Sequence, residues 1–198
     1  MFLALWALPT RAQTSPLNVE KVVILSNDVN GNGLPDPGDG LRWAIRAQNT
    51  SAAAVTGVTL ADSPATIPPG LSSSWFSVVP GSVTTTRGTI LRGNEPPVTP
   101  PYNEEVQVDI GTISAGGEVV VRFDSVVLPN LTGRICNQAL LTYTGGSTVS
   151  NDPDNADPLD PTCLGPIGGG NFVVATLRDS LAQDVDGDGQ ADPGDRLL

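Results

Sequence analysis

Residues 28–39 read Asp-Val-Asn-Gly-Asn-Gly-Leu-Pro-Asp-Pro-Gly-Asp, and a near copy, Asp-Val-Asp-Gly-Asp-Gly-Gln-Ala-Asp-Pro-Gly-Asp, returns at residues 184–195. Of the 14 positions from Asp28 to Leu41, 9 are identical 156 positions later. A stretch this rich in Asp, Asn, Gly and Pro cannot continue a helix or a central strand, because glycine dissipates backbone order and proline has no N–H to donate. It must be a connection, and self-similarity at a fixed period is the mark of a tandem array. The second copy stops where its next strand is expected.

Acidity follows the same pattern. The net charge is -11, yet 12 of the 16 aspartates fall within residues 28–39, 152–160 and 184–195, and the remainder has 9 acids against 10 bases. Negative charge is thus gathered where a cation would sit rather than spread as a solvating coat. No basic stripe exists to neutralise phosphates, so nucleic acid is not an expected partner. The chain has no histidine and one lysine, Lys21, which removes the commonest acid–base catalyst. We expect a non-enzymatic protein; a hydrolase would have to rely on a facing carboxylate pair.

Between the loops the pattern is of short strands. Residues 19–26 are β-rich and lead into the first acidic loop. Leu41, Trp43, Ile45 and Ala47 alternate with Arg42 and Arg46, which predicts a half-buried strand with Trp43 in the core. Residues 55–60 follow, with Val58 and Leu60 sharing a parity with Thr56. Further strands are expected over 75–79, 84–91, 106–110, 119–128 and, as one piece, 135–143, with Cys136 pointing opposite to Ile135. Residues 93–101, with four prolines, must be a loop. Helical periodicity is absent, and 22 glycines with 18 prolines suit an antiparallel β-sandwich.

Residues 1–13 resemble a secretory signal segment, with a short apolar run and Ala12 at a cleavage position. No other apolar run reaches the roughly 20 residues that span a bilayer. In an oxidising compartment Cys136 and Cys163 form one disulfide, closing a loop worth about 3–4 kcal/mol in the chain-entropy model. The organisation expected is therefore a signal-like segment at 1–13, a sandwich domain at 14–164, a Gly-rich joint at 165–170, and the start of a second repeat at 171–198. Lys21 could in principle form an isopeptide bond with an Asn or Asp, but a single strand lysine reads first as an exposed edge residue. Asn49 and Asn130 match the glycosylation acceptor pattern.

Each acidic loop carries side-chain oxygens at positions 1, 3, 5, 9 and 12 and glycine at position 6, the spacing by which an EF-hand-like loop wraps calcium. In the first loop the ligands are Asp28, Asn30, Asn32, the carbonyl of Leu34, Asp36 and Asp39, with Gly33 at the turn. Their equivalents are Asp184, Asp186, Asp188, the carbonyl of Gln190, Asp192 and Asp195. Magnesium suits a flexible all-oxygen loop less well. Asp152, Asp154, Asp157 and Asp160 form a weaker acidic set, equally readable as a stiff linker.

Pro37-Gly38-Asp39-Gly40-Leu41-Arg42-Trp43-Ala44-Ile45, Asn49-Thr50, Val55-Thr56-Gly57-Val58-Thr59-Leu60-Ala61-Asp62, residues 110–117 and Asn137-Gln138-Ala139 together resemble the repeat family called domain of unknown function eleven. The resemblance covers about residues 19–163. It implies an immunoglobulin-like β-sandwich, used in tandem in secreted and cell-surface proteins of bacteria and archaea. The acidic insertion at 28–37 is not part of that pattern.

The function expected is that of a secreted structural module, in a calcium-stabilised surface array or an extracellular fibre. Its partners would be neighbouring repeats or other copies of itself, joined head to tail if the strand at 171–178 adds to the next subunit's sheet. The alternative is an adhesin recognising carbohydrate or a cell surface, presenting Trp75, Phe76 and Tyr102.

Overall fold

A computed structural model describes residues 15–63, 76–96, 105–129, 133–154, 159–167, 181–183 and 196–197. The strands in chain order are β1 (Leu17–Asn27), β2 (Gly40–Asn49), β3 (Val55–Asp62), β4 (Phe76–Val78), β5 (Thr84–Thr85), β6 (Thr89–Arg92) and β7 (Val106–Ile113). They continue with β8 (Glu118–Val127), β9 (Gly133–Asn137), β10 (Ala139–Tyr143), β11 (Gly146–Val149), β12 (Thr162–Ile167), β13 (Leu181–Gln183) and β14 (Arg196–Leu197). There is no helix among the described residues, and so none that could cross a membrane.

Two antiparallel sheets form a sandwich. One has the order β1-β2-β8-β4, with β5 also on β8; the other runs β11-β10-β3-β7-β6. Strands adjacent in sequence thus lie in opposite sheets at β2/β3 and β7/β8, which is the immunoglobulin-like arrangement. Alternation dictates what each sheet contributes to the interior. Leu41, Trp43 and Ile45 of β2 and Val119, Val121 and Phe123 of β8 face Val58 and Leu60 of β3, Val106, Val108 and Ile110 of β7 and Leu141 of β10 in one continuous core. Trp43 and Phe123 are cross-strand partners with ring centroids 6.2 Å apart. The indole Nε1 donates to Ser125 Oγ at 3.0 Å, so its polar atom is satisfied inside the core. Each fully buried large side chain contributes about 1.5–3 kcal/mol. On the outer face the arginines pair across strands, Arg42 with Asp124 and Arg46 with Glu118 and Glu20; such exposed pairs add little.

Four expectations change. In β3 a register shift between Val55 and Val58 breaks the alternation, so Val55 is buried with Val58 and Leu60 while Thr56 is exposed. Residues 84–91 are two strands, because the chain passes from β5 on β8 to β6 on β7. Gly88 allows that crossing: its φ is +93°, and a Cβ there would lie 2.2 Å from the Asp109 carbonyl oxygen. Residues 135–143 are likewise two strands, parted at Gln138, with β9 on β12 and β10 in the main sheet. Cys136 is buried as well as Ile135, and its sulfur is joined to that of its register partner Cys163 on β12. Finally, Lys21 is no exposed edge residue; it exposes 0% of its surface.

The disulfide forms as expected, between Cys136 and Cys163, which are direct register partners of β9 and β12. β12 runs on to Ile167, taking in the first residues of the expected Gly-rich joint. The signal-like segment, the expected strand at 171–178 and most of the proline-rich loop lie outside the described residues.

Candidate functional site

The first acidic loop closes the β1–β2 hairpin. Asn27 and Gly40 are register partners at its base, and Gly38 N and Val127 N bond to Val127 O and Asp39 O, both at 2.9 Å, fastening it to the end of β8. Within it the carboxylates gather backbone N–H groups. Asp28 Oδ1 accepts from Gly31 N at 2.7 Å and Oδ2 from Gly33 N at 2.6 Å. Asp39, buried at the base, accepts from Val29 N at 2.9 Å and Asp36 N at 2.8 Å. Asn30 and Asn32 each donate through Nδ2 to Asp36 Oδ2, at 2.9 and 2.6 Å. Their Oδ1 atoms accept from Asn32 N and Leu34 N. Gly33 takes φ +75° at the sharp turn.

Hydrogen bonds thus link Asn30, Asn32, Asp36 and Asp39 to one another, while Asp28 holds the Gly31 and Gly33 N–H groups on its own. The donor set is all oxygen, and an ionised carboxylate that accepts one N–H per oxygen retains lone pairs for a cation, so the residues fit a hard ion such as calcium. Among the described residues no three acidic side chains are already grouped as a metal cluster. In this arrangement the Asn30 and Asn32 amides turn their nitrogens, not their oxygens, towards Asp36, and turning them over would present oxygen instead.

Residues 184–195 lie outside the described residues, but the strands on either side do not. Leu181 pairs with Leu197 and Gln183 with Arg196, with a register shift between the two pairs. In the first copy Leu25 pairs with Leu41 and Asn27 with Gly40, with a shift at the same place. Adding the sequence period of 156 to each residue of the first copy gives its counterpart in the second. The repeat is one of backbone pairing as well as of residue type.

Of the weaker acidic set, Asp152 N bonds Asp160 Oδ1 at 3.2 Å and Asp154 N bonds Asp152 Oδ1 at 3.1 Å, the local pattern of an Asx-type turn; Asp157 lies outside the described residues. Trp75 and Tyr102 do too, as does the side chain of Phe76. Asn49 is fully buried and its Nδ2 donates to Ala53 O at 2.8 Å and Ile113 O at 2.9 Å, so this acceptor pattern marks a structural asparagine.

A second cluster lies in the core. The Lys21 ammonium is paired with Asp62 Oδ2, and both side chains are wholly buried. Nζ also sits 4.7 Å from the Trp43 ring centroid and 5.7 Å from that of Phe123. Desolvation lowers the Lys21 pKa to about 8, against the opposing pull of Asp62. Two atoms here are buried without a hydrogen-bond partner, Asp62 Oδ1 and Asn137 Nδ2. Such orphaned atoms are costly and ask for an explanation. In the sequence Asp62 and Asn137 stand only among the motifs of the family resemblance, with no site role; the available signal was the parity of Lys21, which shares the inward face of β1 with Leu17 and Val19.

No protein-family model matches the sequence, and no curated protein matches it. Solved structures with a similar course include the collagen-binding domain of Erysipelothrix rhusiopathiae surface protein RspB, at 15% identity and a TM-score of 0.46, covering 75% of this chain and 46% of that one. The major pilin SpaA of Corynebacterium diphtheriae matches at 15% identity and a TM-score of 0.42, over 74% of this chain and 37% of its own. A GH20 exo-β-N-acetylglucosaminidase of Vibrio harveyi matches at 13% identity and a TM-score of 0.36, over 77% of this chain and 18% of its own. The chain spans less than half the length of each of these.

Proposed function

We propose that the protein is a secreted structural module of a prokaryotic surface array or extracellular fibre, related to the repeat family it resembles, in which calcium-bound acidic loops stiffen the ends of β-sandwich units. The observation that carries this reading is the shared register around the two loops, Leu25 with Leu41 and Leu181 with Leu197. A loop that recurs in the same backbone setting belongs to the unit's boundary. Asp28, Asn30, Asn32, the Leu34 carbonyl, Asp36 and Asp39 would hold the ion, and it would offset carboxylate repulsion and reduce the loop's conformational freedom. A disulfide and two hydrogen-bonded sheets suit an extracellular load-bearing role.

Assembly head to tail is the finer part of the reading, and its support is in sequence: the apolar run at 172–177 leads into the second loop as β1 leads into the first. Sedimentation of the full chain with calcium tests it. Concentration-dependent oligomers that disappear on deleting residues 171–198 are expected; a monomer at every concentration would refute strand addition.

A further inference from the structure

We propose that Lys21 and Asn137 are joined by an autocatalytic isopeptide bond, between Lys21 Nζ and the Asn137 carboxamide carbon, with Asp62 carrying the protons. The sandwich brings the three residues together from three strands. Lys21 is held on β1, whose backbone is clipped to Asn151 by bonds from Lys21 N to Asn151 O and from Asn151 N to Val19 O, both 2.9 Å. Asp62 ends β3 opposite Ala139, two residues after Asn137. Asn137 is opposite Thr162 in the β9–β12 pair, and Thr162 Oγ1 donates to the Lys21 carbonyl at 2.7 Å. Asn137 at the end of β9 is therefore two residues before the partner of Asp62, which begins β10, and across the small sheet from a residue that holds Lys21.

The chemistry each atom needs is present. An amine attacks only as the free base, and burial, here against two aromatic rings, favours the neutral form of Lys21. Asp62 has one oxygen on Lys21 and the other unengaged, so it can take a proton from the amine and pass one to a leaving group. Asn137 Oδ1 accepts from Gln138 N at 2.9 Å, which polarises the carbonyl and stabilises the oxygen as it gains charge. Its Nδ2 has no partner to retain it. The Nζ–Cγ bond forms and the Cγ–Nδ2 bond breaks. The ammonium of Lys21 gives up two protons, by way of Asp62, and Nδ2 leaves as ammonium. No oxidant or further reactant is required. The orphaned atoms are then explained: Nδ2 is the leaving group, and Asp62 Oδ1 is the proton relay.

The test is an intact mass and a tryptic map of the purified full chain after disulfide reduction. The expected result is a loss of about 17 Da, one ammonia, with no cleavage after Lys21 and a peptide of residues 12–42 joined to residues 135–178. An unchanged mass overturns the proposal. So does a loss of about 18 Da, one water, with Lys21 joined to the peptide carrying Asp62. Asp62→Asn and Lys21→Arg should both keep the full mass, and a cross-link persisting in Asp62→Asn would refute the relay. Should either variant fail to fold, the wild-type map still decides.

Discussion

Lys21 and Asp62 meet in the core of the sandwich, one from β1 and the other from the end of β3, and neither exposes any surface. The two strands belong to different sheets, so the pair ties one sheet to the other, with the Lys21 ammonium against the Trp43 and Phe123 rings. Removing one partner of such a pair leaves an uncompensated buried charge.

Asp62→Ala is accordingly expected to lower stability by about 3–5 kcal/mol, and to change its pH dependence. Without Asp62 the Lys21 pKa loses the contribution that raises it and falls below about 8. The unfolded chain keeps its lysine proton up to about 10.5, so across that window the unfolded state binds more protons and stability rises with pH. Urea midpoints at about pH 7 and about pH 9.5 check the sign. A midpoint that falls at the higher pH would contradict this assignment of Lys21.

Gly88→Ala should be far more damaging than Gly81→Ala. Both glycines have positive φ, +93° and +78°, but only at Gly88 would a Cβ strike backbone, with Asp109 O at 2.2 Å and Ile110 Cα at 2.8 Å. The expected cost is about 1–2 kcal/mol for Gly81→Ala, from the left-handed conformation alone, and above about 3 kcal/mol for Gly88→Ala. Equal losses in urea denaturation would show that the crossing from β5 to β6 does not need glycine.

The alternation of Leu41, Trp43 and Ile45 was enough to place β2 and its core face, because period-2 patterning is a local signal. Trp43 was legible from the same parity, and the Cys136–Cys163 pairing from a count of two. Where a strand changes partner, at Gly88 and at Gln138, the sequence stays β-rich throughout, and nothing local marks the switch between sheets. The burial of Lys21 was half legible: its parity with Val19 points inward, but a lone charge reads as exposed until its partner is known. Asp62 and Asn137 are 41 and 116 positions further along the chain, and only the topology brings strands β3 and β9 to β1. The acidic loop was the clearest motif, yet its internal hydrogen bonding includes Asp39 buried against Val29 N and Asp36 N, which spacing alone does not show.

Replacing Cys136 and Cys163 together with serine should lower stability by about 3–4 kcal/mol. The disulfide joins β9 to β12 at the residue next to Asn137, so the loss should also show as earlier hydrogen exchange in β9 than in β2. Unchanged protection in β9 would mean that the β9–β12 pairing holds without the disulfide.

Calcium bound in the acidic loops is expected to stiffen the module. Thermal unfolding of the full chain, with calcium at about 100 times an extracellular-type Kd of about 0.1 mM and then with a chelator, tests it most directly. Stabilisation of about 2.7 kcal/mol is expected for a single site, a rise in Tm of about 5–10 °C, reduced in Asp28→Ala and abolished when Asp28→Ala is combined with Asp184→Ala. Melting curves that coincide with and without calcium would contradict it.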